Sequence, residues 1–329
     1  IENLYDIALL HEAQGNYEIE RARLLDALSL MNTWTESSKK TNWRQGRNAT
    51  VRIALDETNV WRAKLYHNLG ISWFEVGDYV KAISDFEESL RYRGVDVIET
   101  ATSDEIFDSF FRQKTKGLSK GRVLSPLPNA ITMEKLALSY DILGQHDEAL
   151  RCYAFALRVY GEHYSDESMK VCDVLKRMGK VYQDRHDYKR CVRALQRALH
   201  IRDMFDDEDS TPQIDDALVF VELARALMAL GAYDQVALDH FYSAVGILEH
   251  VNLHLAKNGT QKSAIVPRVI EGGLESNGDE HGTNELLLEC HSSILILIRR
   301  QRTDIPDDED RICEVIHRIG NSQAALGQY

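Results

Sequence analysis

The chain has 329 residues, with 39 Lys and Arg against 52 Asp and Glu, a formal net charge of −13, 44% hydrophobic residues and 28% charged ones. Five prolines amid abundant Leu, Ala, Glu and Arg favour helix over sheet, and the length exceeds one compact core, leaving two globular domains or an elongated array whose units touch only their neighbours. The negative balance repels nucleic acid and anionic lipid, and no run approaches the length of a membrane span, the longest being Ile294 to Ile298 before Arg299 and Arg300.

In chain order, one phrase recurs: an apolar helix, a turn with Gly and an aromatic two places on, then a second helix carrying Ala. Gly15-Asn16-Tyr17 divides a first unit at about 1–31, followed by a polar, basic insertion at about 33–60 with Lys39, Lys40, Arg44 and Arg47. The second unit, about 63–93, turns at Gly77-Asp78-Tyr79 between Leu69, Gly70, Trp73 and Ala82, Phe86, Ser89. A second insertion, about 94–129, carries the run from Gln113 to Arg122 before Pro126 and Pro128. The third unit, about 130–161, uses Gly144-Gln145-His146 between Leu136, Ala137, Tyr140 and Ala149, Tyr153, Ala156. The fourth, about 172–204, turns at His186-Asp187-Tyr188 between Met178, Gly179, Tyr182 and Cys191, Leu195, Ala198. The fifth, about 217–256, turns at Gly231-Ala232-Tyr233 between Leu223, Ala224, Leu227 and, after a one-residue slip, Ala237, Phe241, Ala244.

A Gly-rich insertion at about 258–283 overlaps a degenerate repeat at about 262–301, and a half repeat at 310–329 carries Ile319, Gly320 and Gln323 before Gly327-Gln328-Tyr329. The insertions read as solvated inserted loops. The half repeat reads as a first helix without its partner, and the opening at Ile1 lacks an initiator Met, a basic leader and an apolar signal core. The natural chain is therefore expected to extend beyond both ends.

Close packing explains the pattern. A Gly or Ala eight places into the first helix lets the second approach, while large residues fill the groove between successive pairs. Gly at the turn ends the first helix in the left-handed region and the aromatic covers the corner.

These residues resemble the tetratricopeptide repeat, whose 34-residue unit places large, Leu, Gly, Tyr, then Ala, aromatic and Ala at these spacings. The Gly161 to Ser168 linker resembles that of kinesin light chain-like repeats, without its proline. The resemblance implies an all-α, right-handed α-solenoid of antiparallel helix pairs, whose first helices line a concave peptide-binding groove. Carried over, the groove comprises Lys64, His67, Ile71 and Phe74, then Ile131, Glu134, Leu138 and Asp141, then Asp173, Lys176, Lys180 and Gln183, then Leu218, Val221, Arg225 and Met228.

Lys176 and Lys180 stand four apart on one helix face, where like charges repel by about 0.2–0.5 kcal/mol. With Arg177 and Arg225 they make a basic middle that suits an acidic or carboxylate-bearing peptide. Asn68 occupies a position where carboxylate-gripping arrays use Asn, but Lys135, Arg177, Glu222 and Arg318 fill it elsewhere, so an intact carboxylate clamp is not expected.

No phosphate-loop, dinucleotide, nucleophile-elbow or H-E-x-x-H string occurs. Cys290 and His291 point apart on a helix. Asp206 to Asp209 lacks the spaced ligands of a calcium loop and reads as an acidic linker, followed by Ser210-Thr211-Pro212 as a helix start. Cys152, Cys172, Cys191, Cys290 and Cys313 lie scattered within helical patterns as reduced thiols, which suits a cytoplasmic, intracellular location. The expected function is a protein-interaction scaffold or adaptor binding a partner peptide, with no catalysis, cofactor or metal and no nucleic-acid or membrane partner. The alternatives are a regulatory or substrate-recruiting array of a larger enzyme, and an architectural scaffold that uses its convex face.

Overall fold

A computed structural model describes residues 1–42, 49–95, 103–112, 127–205, 214–231, 234–257, 280–300 and 307–327. These hold thirteen helices and, among the described residues, no strand. They fall into two compact units, Ile1–Asp166 and Glu167–Tyr329.

Unit 1 contains α1 (Glu2–Ala13), α2 (Tyr17–Asn42), α3 (Ala49–Val76), α4 (Tyr79–Tyr92), α5 (Ser103–Arg112), α6 (Leu127–Ile142) and α7 (His146–Tyr164). The pairs α1–α2, α3–α4 and α6–α7 pack internally; α2 rests on α3, α4 rests on α6, and α3 also touches α6. Unit 2 contains α8 (Met169–Asp184), α9 (Tyr188–Asp203), α10 (Ile214–Leu230), α11 (Asp234–Lys257), α12 (Glu280–Arg300) and α13 (Asp307–Ala325). Each helix packs on the next, α8 also touches α10, and α10 also touches α12. Contact between successive first helices is the signature of stacked antiparallel pairs, so the fold is an all-α solenoid-type repeat.

The turns share one geometry. Gly15, Gly77, Gly144, Gly231 and Gly327 have φ between +68° and +88°, and His186 takes the same place at +60°. The residue after the turn donates its N–H five places back, from Asn16, Asp78, Gln145 and Asp187 at 2.8–2.9 Å, closing the carbonyls of the first helix. Asp78 and Asp187 then accept from Lys81 and Arg190 backbone N–H groups at 3.2 and 3.3 Å, capping the second helix. One residue thus ends one helix and starts the next.

Helix crossings are tight where the small residues sit. A Cβ on Gly70 would lie 2.6 Å from the Phe86 ring, and one on Gly179 would lie 2.5 Å from Leu195. Phe86 and Leu195 are themselves fully buried.

The first insertion is not a loop throughout. α2 runs on to Asn42 and α3 begins at Ala49, so both helices overshoot the repeat. Arg62 holds part of that overshoot, donating to Asn32 Oδ1 at 3.1 Å and to Thr35 Oγ1 at 3.0 Å. The second insertion also contains a helix. In α5, Phe107, Phe110 and Phe111 recur at the i, i+3, i+4 spacing of an apolar stripe. Phe107 is fully buried and Phe110 abuts Gly161 of α7, whose exposed positions are Asp147, Arg151, Arg158, Glu162, His163 and Tyr164. The basic run from Gln113 to Arg122 and residues 258–279 lie outside the described residues. α12 takes the place of a first helix and α13 packs on it as the second, although counting back from Gly327 makes 310–329 a first helix.

Two outcomes are expected in thermal or denaturant unfolding. Gly70→Val forces Phe86 aside and costs about 1–3 kcal/mol. His186→Gly relieves a left-handed non-glycine residue and raises stability by up to about 1 kcal/mol.

Candidate peptide-binding surface

The candidate residues divide between the units: Lys64, His67 and Asn68 stand on α3 and Glu134 on α6, while Lys176, Arg177 and Lys180 stand on α8 and Arg225 on α10. In unit 1 the first helices turn several of them inward. Asn68 is only 7% exposed and donates Nδ2 to the Tyr5 hydroxyl on α1 at 3.3 Å. Glu134 is half-buried and accepts from the Tyr160 hydroxyl of α7 at 2.8 Å. Lys64 is exposed, its ammonium 4.7 Å above the Trp61 ring.

His67 belongs to a polar knot with Thr132 and Arg93. Its Nδ1 lies 3.0 Å from Thr132 Oγ1. Arg93 donates to that same oxygen at 2.9 Å and to the Pro128 carbonyl at 2.6 Å. Burial first, then the charges of Arg93 and Lys135, push His67 down to about 4. The ring is therefore neutral at physiological pH and ties α3, α4 and α6 together rather than offering a cation.

In unit 2, α8 buries Val171, Cys172, Val174, Leu175, Met178, Gly179, Val181 and Tyr182, which leaves Lys176, Arg177 and Lys180 half-buried on the remaining face. Lys176 Nζ lies 3.2 Å from Asp173 Oδ1, and Arg225 pairs with Glu289 of α12. Arg177 and Lys180 also have partners. The basic side chains are thus gathered on first helices but partly neutralised by neighbouring carboxylates. Sequence reading missed Glu289 and the Tyr5 and Tyr160 contacts, because partners 26 to 64 residues away carry no local signal; Trp61 stands only three residues from Lys64. Asp173 was visible at i−3 from Lys176.

Four of the five cysteines and His291 are withdrawn into the core. Cys152, Cys172, Cys191 and Cys290 are buried, and burial raises their thiols, Cys172 to about 11 and Cys290 to about 12. Such thiols stay protonated and inert; Cys313 is exposed. His291 is 3% exposed and pushed down to about 4 by burial and the charge of Arg318. Asp206 to Asp209 and Ser210 to Pro212 lie outside the described residues. Among the described residues no helix is long and apolar enough to cross a membrane.

Residues 129–204, which span α6 to α9, match the tetratricopeptide repeat family. No curated protein matches the chain. Among solved structures it is similar to BtubC (BKLC) from P. vanneervenii, at 16% identity over 93% of each chain with a TM-score of 0.49. It is also similar to MamA from Desulfovibrio magneticus RS-1, at 12% identity over 80% of this chain and 96% of that one, TM-score 0.47. It is similar as well to the kinesin light chain nearly identical TPR-like repeats of Podosopora anserina, at 15% identity over 82% of this chain and 99% of that one, TM-score 0.45. Residues 129–204 thus carry tetratricopeptide repeats, a kind of repeat that generally serves as a non-catalytic scaffold for protein–protein interaction.

The two buried histidines give a direct check. Because their folded values lie below the ordinary 6.5, the stability they contribute is complete above pH 6.5 and is lost as the pH falls toward 4. NMR titration of the folded chain should place both midpoints near 4; a midpoint near 6.5 for either ring would show it to be solvated.

Proposed function

We propose that this chain is a non-catalytic adaptor that captures an acidic segment of a partner protein on its first helices, chiefly through α8 and α10. The observation that carries this reading is the makeup of the face α8 leaves outside its core: Lys170, Lys176, Arg177 and Lys180 against Asp173 and Asp184, in a chain of net charge −13. An incoming carboxylate can exchange with Asp173 at Lys176 and with Glu289 at Arg225 at small cost, since half-exposed pairs of this kind contribute only about 0–1 kcal/mol. The segment would lie extended, as peptides do on such faces, with main-chain and carboxylate contacts setting the register. Binding of this kind weakens as salt screens the charges. We place the activity in the cytoplasm, where the buried thiols stay reduced.

A second reading rests on α9, which presents Lys189, Arg190, Arg193 and Arg197 away from its buried Cys191, Ala194, Leu195 and Ala198. There a folded domain would dock on second helices instead.

One comparison separates the two. Partners captured by the wild type at moderate salt are compared with those captured by Lys176→Glu, Lys180→Glu, Arg225→Glu, once equal helicity is confirmed. Loss of the partner in the variant, with competition by a glutamate-rich peptide but not by its glutamine counterpart, supports the first-helix site. Retention of the same partner sinks that site and moves attention to α9.

A further inference from the structure

One turn into each second helix, the repeats place a small residue against the first helix: Ala82, Ala149, Cys191 and Ala237, each fully buried. The first pair breaks this rule. Its residue there is Glu20, only 1% exposed, and neither carboxyl oxygen meets hydrogen-bond geometry with a neighbour, although the Ser72 hydroxyl lies beside it. An unsatisfied buried carboxylate is among the more expensive groups a fold can hold.

The surroundings compensate the charge only in part: the Ser72 hydroxyl and Arg21 favour the carboxylate, while burial, Glu12 and Glu75 oppose it. Glu12 faces Glu20 from α1, and Glu75 and Ser72 face it from α3. Arg21 is the cation on its own helix, but its guanidinium lies 4.2 Å over the Trp73 ring and its Nη1 donates to Ser72 Oγ at 3.3 Å. The Ser72 hydroxyl in turn lies 3.3 Å from the Tyr17 carbonyl, to which it donates. Two further carboxylates thus crowd a third that is buried, and the two groups that favour its charge, Ser72 and Arg21, are shared with other contacts. Glu12 is itself shifted upward, by burial and then by Glu75.

We propose that the first helix pair is fastened to α3 by a proton-dependent contact at Glu20, closed when its side chain is the neutral acid and loosened when it is the carboxylate. The packing beneath it, Ala8, Leu24, Ala27 and Leu28 against Leu65 and Leu69, is continuous apolar core, so a charge at its edge acts on the docking of α1 and α2 as a unit. Burial, reinforced by Glu12 and Glu75, raises Glu20 to about 7 from an ordinary 4.5. The neutral form is therefore the favoured native one below about pH 7. The contribution of Glu20 is complete below about pH 4.5, declines as the pH rises from there to about 7, and changes no further above that. The range includes the small pH differences found between cellular compartments and states, so the first pair is the part of the chain whose availability would respond to them.

The test is hydrogen exchange of the full chain at about pH 6 and pH 8, corrected for the pH dependence of the chemical step. In the wild type, protection of α1 and α2 should fall by roughly tenfold between the two conditions, while α8 to α11 change little. In Glu20→Gln and in Glu20→Ala, which restores the residue found in the other pairs, the change in α1 and α2 should be less than about twofold. If the wild type shows no fall, or if Glu20→Ala keeps the wild-type fall, the proposal is overturned. Should Glu20→Gln fail to pack, the alanine variant decides.

Discussion

Everything in this molecule depends on the distance at which two helices of a pair can cross. Where Gly70 meets Phe86 and Gly179 meets Leu195 there is no room for a methyl group, and elsewhere Ala137 and Ala224 hold the same place. That closeness lets a large side chain from the second helix fill the space a first-helix side chain would have taken, so each pair buries a dense seam at the packing density of a protein interior. The turn must then bring the helices back within a few residues. The left-handed residue at 15, 77, 144, 186, 231 and 327, with the carbonyl closures behind it, does so at little cost except at His186.

The same constraint sorts side chains into those that build and those available to bind. A first helix gives one flank to its partner and another to its neighbours, leaving one stripe for function. On α8 that stripe is where Lys176, Arg177 and Lys180 stand. On α3 the stripe is largely consumed by construction, for Asn68 meets Tyr5 and His67 joins the Thr132 and Arg93 knot. A solenoid can therefore repeat its architecture while only some repeats offer a usable face. Glu20 shows the reverse case, in which a charged residue occupies a building position and makes the packing conditional.

Much of this was legible in the sequence because its cause is local. Gly77-Asp78-Tyr79 and its counterparts encode a turn within four residues, and the alternation of Gly70 with Phe86 or Gly179 with Leu195 encodes a crossing within one repeat. What was not legible came from three causes. The helix α5 was overlooked because the basic and Pro-containing stretch after it dominated the reading of 94–129, although Phe107, Phe110 and Phe111 already had helical spacing. The overshoot of α2 and α3 was hidden by a polar composition that is compatible with either solvated helix or loop. The state of the candidate site was hidden because the partners of Asn68, Glu134 and Arg225 are tens of residues away, so no window of sequence shows that these side chains are engaged. Glu20 was in plain view as an exception to the alanine rule, yet its significance required knowing that the position is buried.

The central claim is that the first helices of unit 2 carry the binding face. Its most direct measurement is a hydrogen-exchange footprint of the chain with and without a bound acidic segment, resolved to single helices. Added protection along α8 and α10, centred on Lys176, Lys180 and Arg225, is the predicted result. Protection confined to α9, or to α5 and α7, with α8 and α10 unchanged, would contradict it.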